Sequence, residues 1–179
     1  MARLKQHPKA VICVSLLGLA LILSGTTVFG ESDYGTTNGV YWEISVYNLS
    51  YDSITQTTTS RHRYLVENNY VNDDGEYAAI KPKFRFSHFV LKLDGSYTYN
   101  ADGSLKFDSS AGFGATVPAT GAGDHSETLG VSVDNLVAGP YKIYAYTEVD
   151  IYEATDTGGL PIVSGLRVED EQEFTKEED

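Results

Sequence analysis

Cysteine is almost absent from this chain of 179 residues, since the single one, Cys13, lies in an apolar run near the start. A protein that begins after that run has no disulfide, so its fold must rest on its own packing. Basic residues are also scarce, with 13 Lys and Arg against 25 Asp and Glu. The resulting acidic surface repels nucleic acid phosphates and anionic lipid, and we expect no nucleic acid partner.

Residues 1–30 have the layout of a secretory signal peptide. Arg3, Lys5 and Lys9 precede an apolar run over residues 10–23, and small or polar residues follow up to Gly30. This order predicts cleavage after Gly30. The run is shorter than the roughly 20 residues of a membrane-spanning helix. Two alternatives stay open: an uncleaved anchor that holds the protein to the membrane through residues 10–29, and prepilin-type processing at Lys9. We expect a protein that is secreted or at the cell surface.

Helical periodicity is missing after Gly30, and alternation with a period of two takes its place. Val40, Trp42, Ile44 and Val46 would share one face of a strand. Residues 141–152 alternate over their whole length, with Tyr144, Tyr146 and Tyr152 on the polar side. Such segments predict half-buried strands. The sequence therefore predicts an all-β protein, a single antiparallel β-sandwich of immunoglobulin-like or jelly-roll type over residues 40–168.

Several segments outside the clearest strands are predicted to be irregular. Residues 31–39 should form a flexible lead-in, and the acidic residues 169–179 should fray. The alternation of residues 83–93 slips near His88, which predicts a β-bulge there. Residues 109–123 are rich in Gly, Ala, Ser and Thr, and we expect a long loop.

Residues 136–146 contain a leucine, a Gly-Pro turn, and then a tyrosine followed by alternating apolar residues. This segment resembles the corner between strands E and F of fibronectin-III and related immunoglobulin-like sandwiches. The resemblance implies a tyrosine corner, in which the Tyr141 hydroxyl bonds to backbone near Leu136 while the ring packs in the core. It implies a fold and no activity.

All 13 tyrosines follow the leader, and some are candidates for an interaction surface. Exposed tyrosines can stack on sugars or anchor a protein interface, and they can also stabilise a sheet through cross-strand pairing. All three interpretations stay open. The candidate residues are Tyr144, Tyr146 and Tyr152 on one strand, Tyr97 and Tyr99 in a hairpin, and Trp42.

Catalytic and metal-binding patterns are weak. Asp124, His125 and Ser126 are adjacent, but neighbours on a strand point to opposite faces and cannot form a triad. The other histidines after the leader, His62 and His88, lack the spacing of paired metal ligands and are expected on the surface or in strands. We predict no cofactor, although a Ca²⁺ site at three acidic residues is an alternative that lacks the full calcium-loop pattern. Those residues are Asp73, Asp74 and Glu76.

Function follows from export and from the absence of a catalytic motif. We expect a non-enzymatic structural or adhesive protein outside the cell, such as a filament subunit, built by β-strand addition and tyrosine-rich packing. The expected partner is another copy of the chain or another surface protein. The alternative is a secreted carbohydrate-binding module that uses surface Tyr or Trp42, and an exported hydrolase ranks third. Asn48 fits the N-glycosylation pattern.

Overall fold

The computed structural model describes residues 30–96, 108–155 and 158–178. Eight β-strands make up the fold and pair into two four-stranded antiparallel sheets. Sheet I has the order β1-β2-β3-β6, and sheet II has the order β5-β4-β7-β8. The strands are β1 (Glu31–Thr37), β2 (Val40–Asp52), β3 (Thr57–Asn68), β4 (Ile80–Lys92), β5 (Asp108–Gly114), β6 (Ala122–Ser132), β7 (Gly139–Glu153) and β8 (Val163–Lys176).

The two sheets share one hydrophobic core, as in a β-sandwich. Alternate residues of β2 and β7 supply much of it, because their apolar side chains all point inward. The predicted faces of both strands are confirmed: Val40, Trp42, Ile44 and Val46 are buried, and so are the alternate residues of β7 from Tyr141 to Ile151. The all-β antiparallel architecture predicted from the sequence is therefore confirmed. In the described part of the chain, no helix is long and apolar enough to span a membrane.

The predicted flexible lead-in is wrong, because Glu31–Thr37 forms β1 and pairs antiparallel with β2. A two-residue turn joins the strands, and Asn38 and Gly39 both have positive φ, at 51° and 78°. That combination is the one a type I′ hairpin turn requires. Gly30 precedes β1 and lies so close to Tyr47 and the Val46 carbonyl that a Cβ there would overlap them.

The predicted fraying of residues 169–179 is also wrong for most of that segment, because β8 continues to Lys176. Its glutamates point outward, while Val168, Phe174 and Lys176 are buried on the other face. Acidic composition alone therefore conceals a strand with one buried face.

Two further segments differ from expectation in sheet II. Strand β4 pairs with β7 in one continuous register, so no bulge occurs at His88. Phe86 and His88 point inward and Phe89 outward, where tyrosines of β7 cover it. Residues 109–123, predicted as a loop, contain most of β5 and the start of β6. Between them, Val117 makes an isolated bridge to Ile80.

The turn before β7 has the contacts that the tyrosine-corner resemblance implies. The Tyr141 hydroxyl donates to the Val137 carbonyl oxygen at 3.0 Å. Leu136 is buried, and the Tyr141 ring lies in the core. This hydrogen bond links the end of the connection from β6 to the start of β7, and so fixes where the chain crosses between the sheets.

Replacing Tyr141 with Phe is expected to lower the free energy of unfolding by about 1 kcal/mol, because one hydrogen bond is lost. The cost stays small because Val137 is 77% exposed and water can solvate its carbonyl. Urea unfolding measures the change. The matched control is Tyr34→Phe, since Tyr34 is 71% exposed on β1 and its substitution should leave stability unaltered. An equal loss in both variants would contradict a role for the corner.

Candidate functional site

The outer face of sheet II carries a cluster of aromatic side chains. Tyr144 and Tyr146 lie on β7, with ring centroids 6.1 Å apart. Phe89 on β4 lies 6.2 Å from Tyr144 and 6.1 Å from Tyr146. The sequence correctly placed Tyr144, Tyr146 and Tyr152 on one face, where all three are partly exposed. This face is the candidate site.

Arg167 of β8 covers the centre of the cluster. Its guanidinium carbon lies 4.0 Å from the centroid of the Tyr146 ring, a cation–π contact. The same group donates to the Tyr144 hydroxyl at 2.6 Å and to the Glu169 carboxylate at 3.2 Å. The Tyr144 hydroxyl in turn donates to Glu169 at 2.6 Å. These contacts hold the side chains in one arrangement.

The pKa values of the cluster follow from those contacts. Partial burial, followed by the Glu169 carboxylate, raises the pKa of Tyr144 above its ordinary value. The hydrogen bond from the Tyr144 hydroxyl is the main reason that the pKa of Glu169 is lowered. Tyr144 is thus a neutral donor, Glu169 an anion and Arg167 a cation at neutral pH. The cluster is polar and closed, and it leaves no group poised as an acid or base.

A shallow cleft of about 390 Å³ lies beside the cluster. Three cations from alternate positions of β4 border it, and Gly112 and Gly114 of β5 leave it open because they carry no side chain. Glu148 and Asp150 of β7 form its other side. Lys83 extends over the Tyr152 ring, with Nζ 4.3 Å from the centroid. The three cations are Lys81, Lys83 and Arg85, named here the basic row.

The carboxylates of this cleft do not form a catalytic pair. Glu148 and Asp150 project from one face of the same strand, so they do not oppose each other across a cleft. Glu148 lies 3.6 Å from the Arg167 guanidinium, and Asp150 accepts a hydrogen bond from the Gly165 amide at 3.0 Å. Both carboxylates are engaged in contacts within the sheet.

The remaining predicted residues lie away from this face. Trp42 is only 7% exposed and points into the core, where it packs against Gly35, so the prediction of a surface stacking residue is wrong. Tyr97 and Tyr99 fall outside the described residues. Asn48 is exposed on β2 and has a positive φ of 53°.

The candidate calcium residues lie in a turn. The Asn72 side-chain oxygen accepts from the amides of Asp74 and Glu76 at 3.1 and 2.9 Å. Asp73 lies between Asn72 and Asp74 in the same turn. Within the described ranges, no group of three or more His, Cys, Asp or Glu could hold a metal ion. The turn is therefore held by the Asn72 side chain and by the backbone amides of Asp74 and Glu76.

The adjacent Asp124, His125 and Ser126 lie on strand β6 and cannot act together. Asp124 points outward and forms a bidentate pair with Arg63, with both N–O distances at 2.9 Å. His125 is on the opposite face, among the rings of Phe84 and Phe113 at centroid distances of 5.3 and 5.5 Å. The strand geometry separates the three groups, as expected from the sequence.

A buried hydrogen-bond network between the sheets has no counterpart in the sequence analysis. The Ser60 hydroxyl lies 2.7 Å from His62 Nε2 and 2.7 Å from His88 Nδ1. His88 Nε2 lies 2.8 Å from the Thr58 hydroxyl, and His62 Nδ1 lies 3.1 Å from the Thr147 hydroxyl. All five side chains are completely buried. No substrate can reach them, so we assign the network to the core.

One set of proton positions satisfies all four bonds to the two imidazoles and keeps both rings neutral. The Thr147 hydroxyl donates to the Ser45 carbonyl at 2.9 Å, so it must accept from His62 Nδ1. His62 Nε2 then accepts from Ser60, whose oxygen accepts from His88 Nδ1. His88 Nε2 finally accepts from Thr58, whose single hydroxyl proton then does not bond the Val131 carbonyl oxygen 3.3 Å away. Both imidazoles are neutral in this arrangement, and burial lowers the pKa of each to about 4.

The open edges of the sandwich differ in their protection. Among the described residues, the outer backbones of β1 and β6 in sheet I, and of β5 and β8 in sheet II, pair with no further strand. Charged side chains protect an edge from pairing with another chain. Strands β1 and β6 each carry two charged residues and β8 carries six, whereas β5 reads DSSAGFG and carries only Asp108 at its start. Strand β5 is therefore the least protected edge.

No protein-family model matches the chain, and no curated protein matches it either.

Proposed function

We propose that this chain is an exported, non-enzymatic structural protein that assembles with copies of itself outside the cell, as a filament or surface lattice. The observation that carries the proposal is the unprotected edge of β5. An exposed strand that carries a single charge, at its first residue, and no proline is a template for β-strand addition. A protein that had to remain a monomer would be expected to block that edge.

The backbone of β5 presents regularly spaced groups for such an addition. Val117 and Ile80 exchange two hydrogen bonds, and the Ala115 amide donates to Pro82 in the same register that continues through β5. Paired and unpaired residues alternate along an antiparallel ladder. The N–H and C=O groups of Ser110, Gly112 and Gly114 therefore point away from β4. These are the groups that a further strand would bond.

The partner that fits this edge is β5 of a second copy, antiparallel to the first and related to it by a two-fold axis. Such an isologous contact is the commonest form of homo-oligomer interface. Strand β1 is less suited as the added strand, because Glu31 and Asp33 place two negative charges on its edge. Pairing of β5 with β5 would join two copies of sheet II into one eight-stranded sheet.

The rest of the proposal follows from features that the sequence and fold share. Export rests on the signal-peptide layout of residues 1–30. An immunoglobulin-like form of the sandwich is supported by the tyrosine corner at Tyr141. The non-enzymatic role is supported by the engaged carboxylates Glu148 and Asp150 and by the separation of Asp124 from His125. No cofactor is needed for a role of this kind.

Carbohydrate binding, the alternative function, has less support from this face. A tyrosine that stacks on a sugar needs a free ring face. Arg167 covers one face of Tyr146, and the Lys83 ammonium lies over Tyr152. A sugar would have to displace these cations first. The aromatic cluster therefore fits a protein contact better than a sugar platform.

Replacing Ser110 with Pro tests the proposed edge pairing. Proline removes the outward N–H at position 110 and is tolerated on edge strands. We expect sedimentation velocity to show loss of the β5-mediated assembly, because the donor groups no longer match a second strand. Ser110→Ala is the matched control, which keeps the N–H and should assemble as the parent does.

Thermal unfolding of both variants checks that the fold is intact, and the two should unfold at similar temperatures. Equal assembly of Ser110→Pro and Ser110→Ala would show that the β5 edge does not mediate self-association. A parent protein that remains a monomer at every concentration would overturn the proposed function as a whole.

A further inference from the structure

The outer face of sheet II has opposite charges at two diagonal corners. The basic row occupies the start of β4, at the edge next to β5. Glu169, Glu171 and Glu173, named here the acidic row, occupy the far half of β8. From the strand register, the centres of the two rows are about 20 Å apart along the strands and about 10 Å apart across them. The aromatic cluster lies between them.

The basic row forms no short ion pair within its own chain. Among the described residues, Lys81, Lys83 and Arg85 are absent from every ion pair within 4 Å. Asp150 and Glu148 stand opposite Lys83 and Arg85 in the register of β4 and β7, and the Lys83 ammonium lies over the Tyr152 ring. All three side chains are exposed. The chain has a net charge of −12 and only 13 basic residues, so three neighbouring cations without a short ion pair form an unusual local concentration of positive charge. They fit an acidic surface on a partner.

The acidic row supplies such a surface. Glu171 pairs with Lys142 at 2.9 Å, and Glu169 pairs with Arg167 at 3.2 Å. Glu173 has no ion pair within the described chain, and Glu177 and Glu178 follow it exposed beyond the end of β8. This corner therefore keeps an excess of negative charge after its own pairs are formed.

We propose that the outer face of sheet II docks against the same face of a second copy, about a two-fold axis close to Tyr146, with the basic row of each copy on the acidic row of the other. An axis that bisects the line between the rows exchanges them, so both halves of the contact are complementary. Tyr144, Tyr146 and Arg167 then lie at the centre, where interfaces concentrate Tyr and Arg. A docking that placed each row on its own counterpart in the second copy would oppose like charges.

This inference rests on the proposed self-assembly and explains how assembly continues beyond a dimer. One isologous contact closes a dimer, as β5–β5 pairing alone would. A second isologous contact on a different surface lets each dimer bind two more dimers. Edge pairing at β5 and face pairing at sheet II together therefore build an open filament, whereas either alone stops at two copies.

The test uses the Ser110→Pro protein, in which edge pairing is removed, and measures dimer dissociation by sedimentation velocity. We expect a dimer whose dissociation constant rises about 100-fold or more when the basic row is reversed by Lys81→Glu, Lys83→Glu and Arg85→Glu. Reversal of the acidic row to Lys should have the same effect. Mixing the two reversed proteins should restore a heterodimer, because the charges again match.

Arg61→Glu is the matched control, because Arg61 is exposed on sheet I, and it should leave the dimer unchanged. If the parent protein dimerises and the Ser110→Pro protein is a monomer, the face contact is overturned and edge pairing at β5 is retained. Unchanged dimers in parent and Ser110→Pro proteins, sensitive to both reversals, would support the face contact and overturn edge pairing. If neither reversal changes the dimer, and reversal of the basic row abolishes binding to polygalacturonate, the basic row binds an acidic glycan and the inference is overturned.

Discussion

Acidification from pH 7 to pH 4 is expected to remove several kcal/mol from the free energy of unfolding, because the buried histidines His62 and His88 must stay neutral in the fold. Burial lowers the pKa of both from 6.5 to about 4, and His62 adds to the lowering at His88. An unfolded chain binds these protons near pH 6.5, whereas the folded chain does not. Stability is thus complete above pH 6.5 and falls as the pH drops towards 4.

The size of the loss follows from the shift. One pKa unit corresponds to about 1.4 kcal/mol, so each histidine contributes on the order of 3 kcal/mol. Other titratable groups change the free energy of unfolding in a different pH range or in the opposite direction. The lowered carboxyl pKa of Asp124 costs stability only below the ordinary Asp range, and the raised pKa of Asp170 acts in the opposite sense. Glu127 lies opposite His62 in the register of β3 and β6, with no hydrogen bond to either imidazole.

Urea unfolding at a series of pH values measures this dependence. His62→Gln and His88→Gln should be less stable at pH 7 but lose less stability between pH 6.5 and 4. His125→Gln is the control, because it removes a histidine that takes no part in the buried network. It should keep the slope of the parent protein. A parent slope that survives in the double variant at positions 62 and 88 would disprove this origin.

Replacing Ser60 with Ala is expected to lower the free energy of unfolding by about 3 kcal/mol. The Ser60 hydroxyl bridges the two imidazoles at 2.7 Å on each side. Its removal leaves one nitrogen of each ring buried without a partner, and each unsatisfied group costs roughly 1–3 kcal/mol. The hydroxyl also sets the proton positions of the whole chain of bonds, so its loss affects four other side chains.

Urea unfolding of Ser60→Ala at pH 7 gives the cost directly. Ser50→Ala is the matched control, because the Ser50 hydroxyl makes a similar 2.8 Å bond to Thr59 on the exposed side of sheet I. Water replaces that partner, and we expect a loss below about 0.5 kcal/mol. Similar costs at positions 50 and 60 would mean that the buried network adds no stability beyond an exposed hydrogen bond.

Strands with one buried face could be predicted from the sequence, because alternation is a local signal. Strand β7 is the clearest case, since every inward residue from Tyr141 to Ile151 is buried as expected. Strand β1 was missed although Asn38-Gly39 is a strong hairpin signal, because its side chains are nearly all exposed and show no apolar period. The part of strand β8 beyond Val168 was missed because glutamates occupy its outer positions.

The candidate site was predictable only in part, for a related reason. Tyr144, Tyr146 and Tyr152 were found because they share one strand. Arg167 and Phe89 complete the cluster from other strands, and only the strand register brings them together. The buried network unites residues of β3, β4 and β7 across two sheets, and no spacing in the sequence signals such a contact.

The tight contact of Gly30 with β2 has a consequence for the order of events during export. A peptidase that cuts after Gly30 needs an extended, accessible chain, whereas in the folded protein this residue lies against Tyr47 and the Val46 carbonyl. A hairpin such as β1–β2 closes within about 1–10 μs once its residues are free. Under the proposed export, cleavage after Gly30 would therefore have to precede closure of the hairpin, because a chain that folded first would hide the cut site and keep its leader.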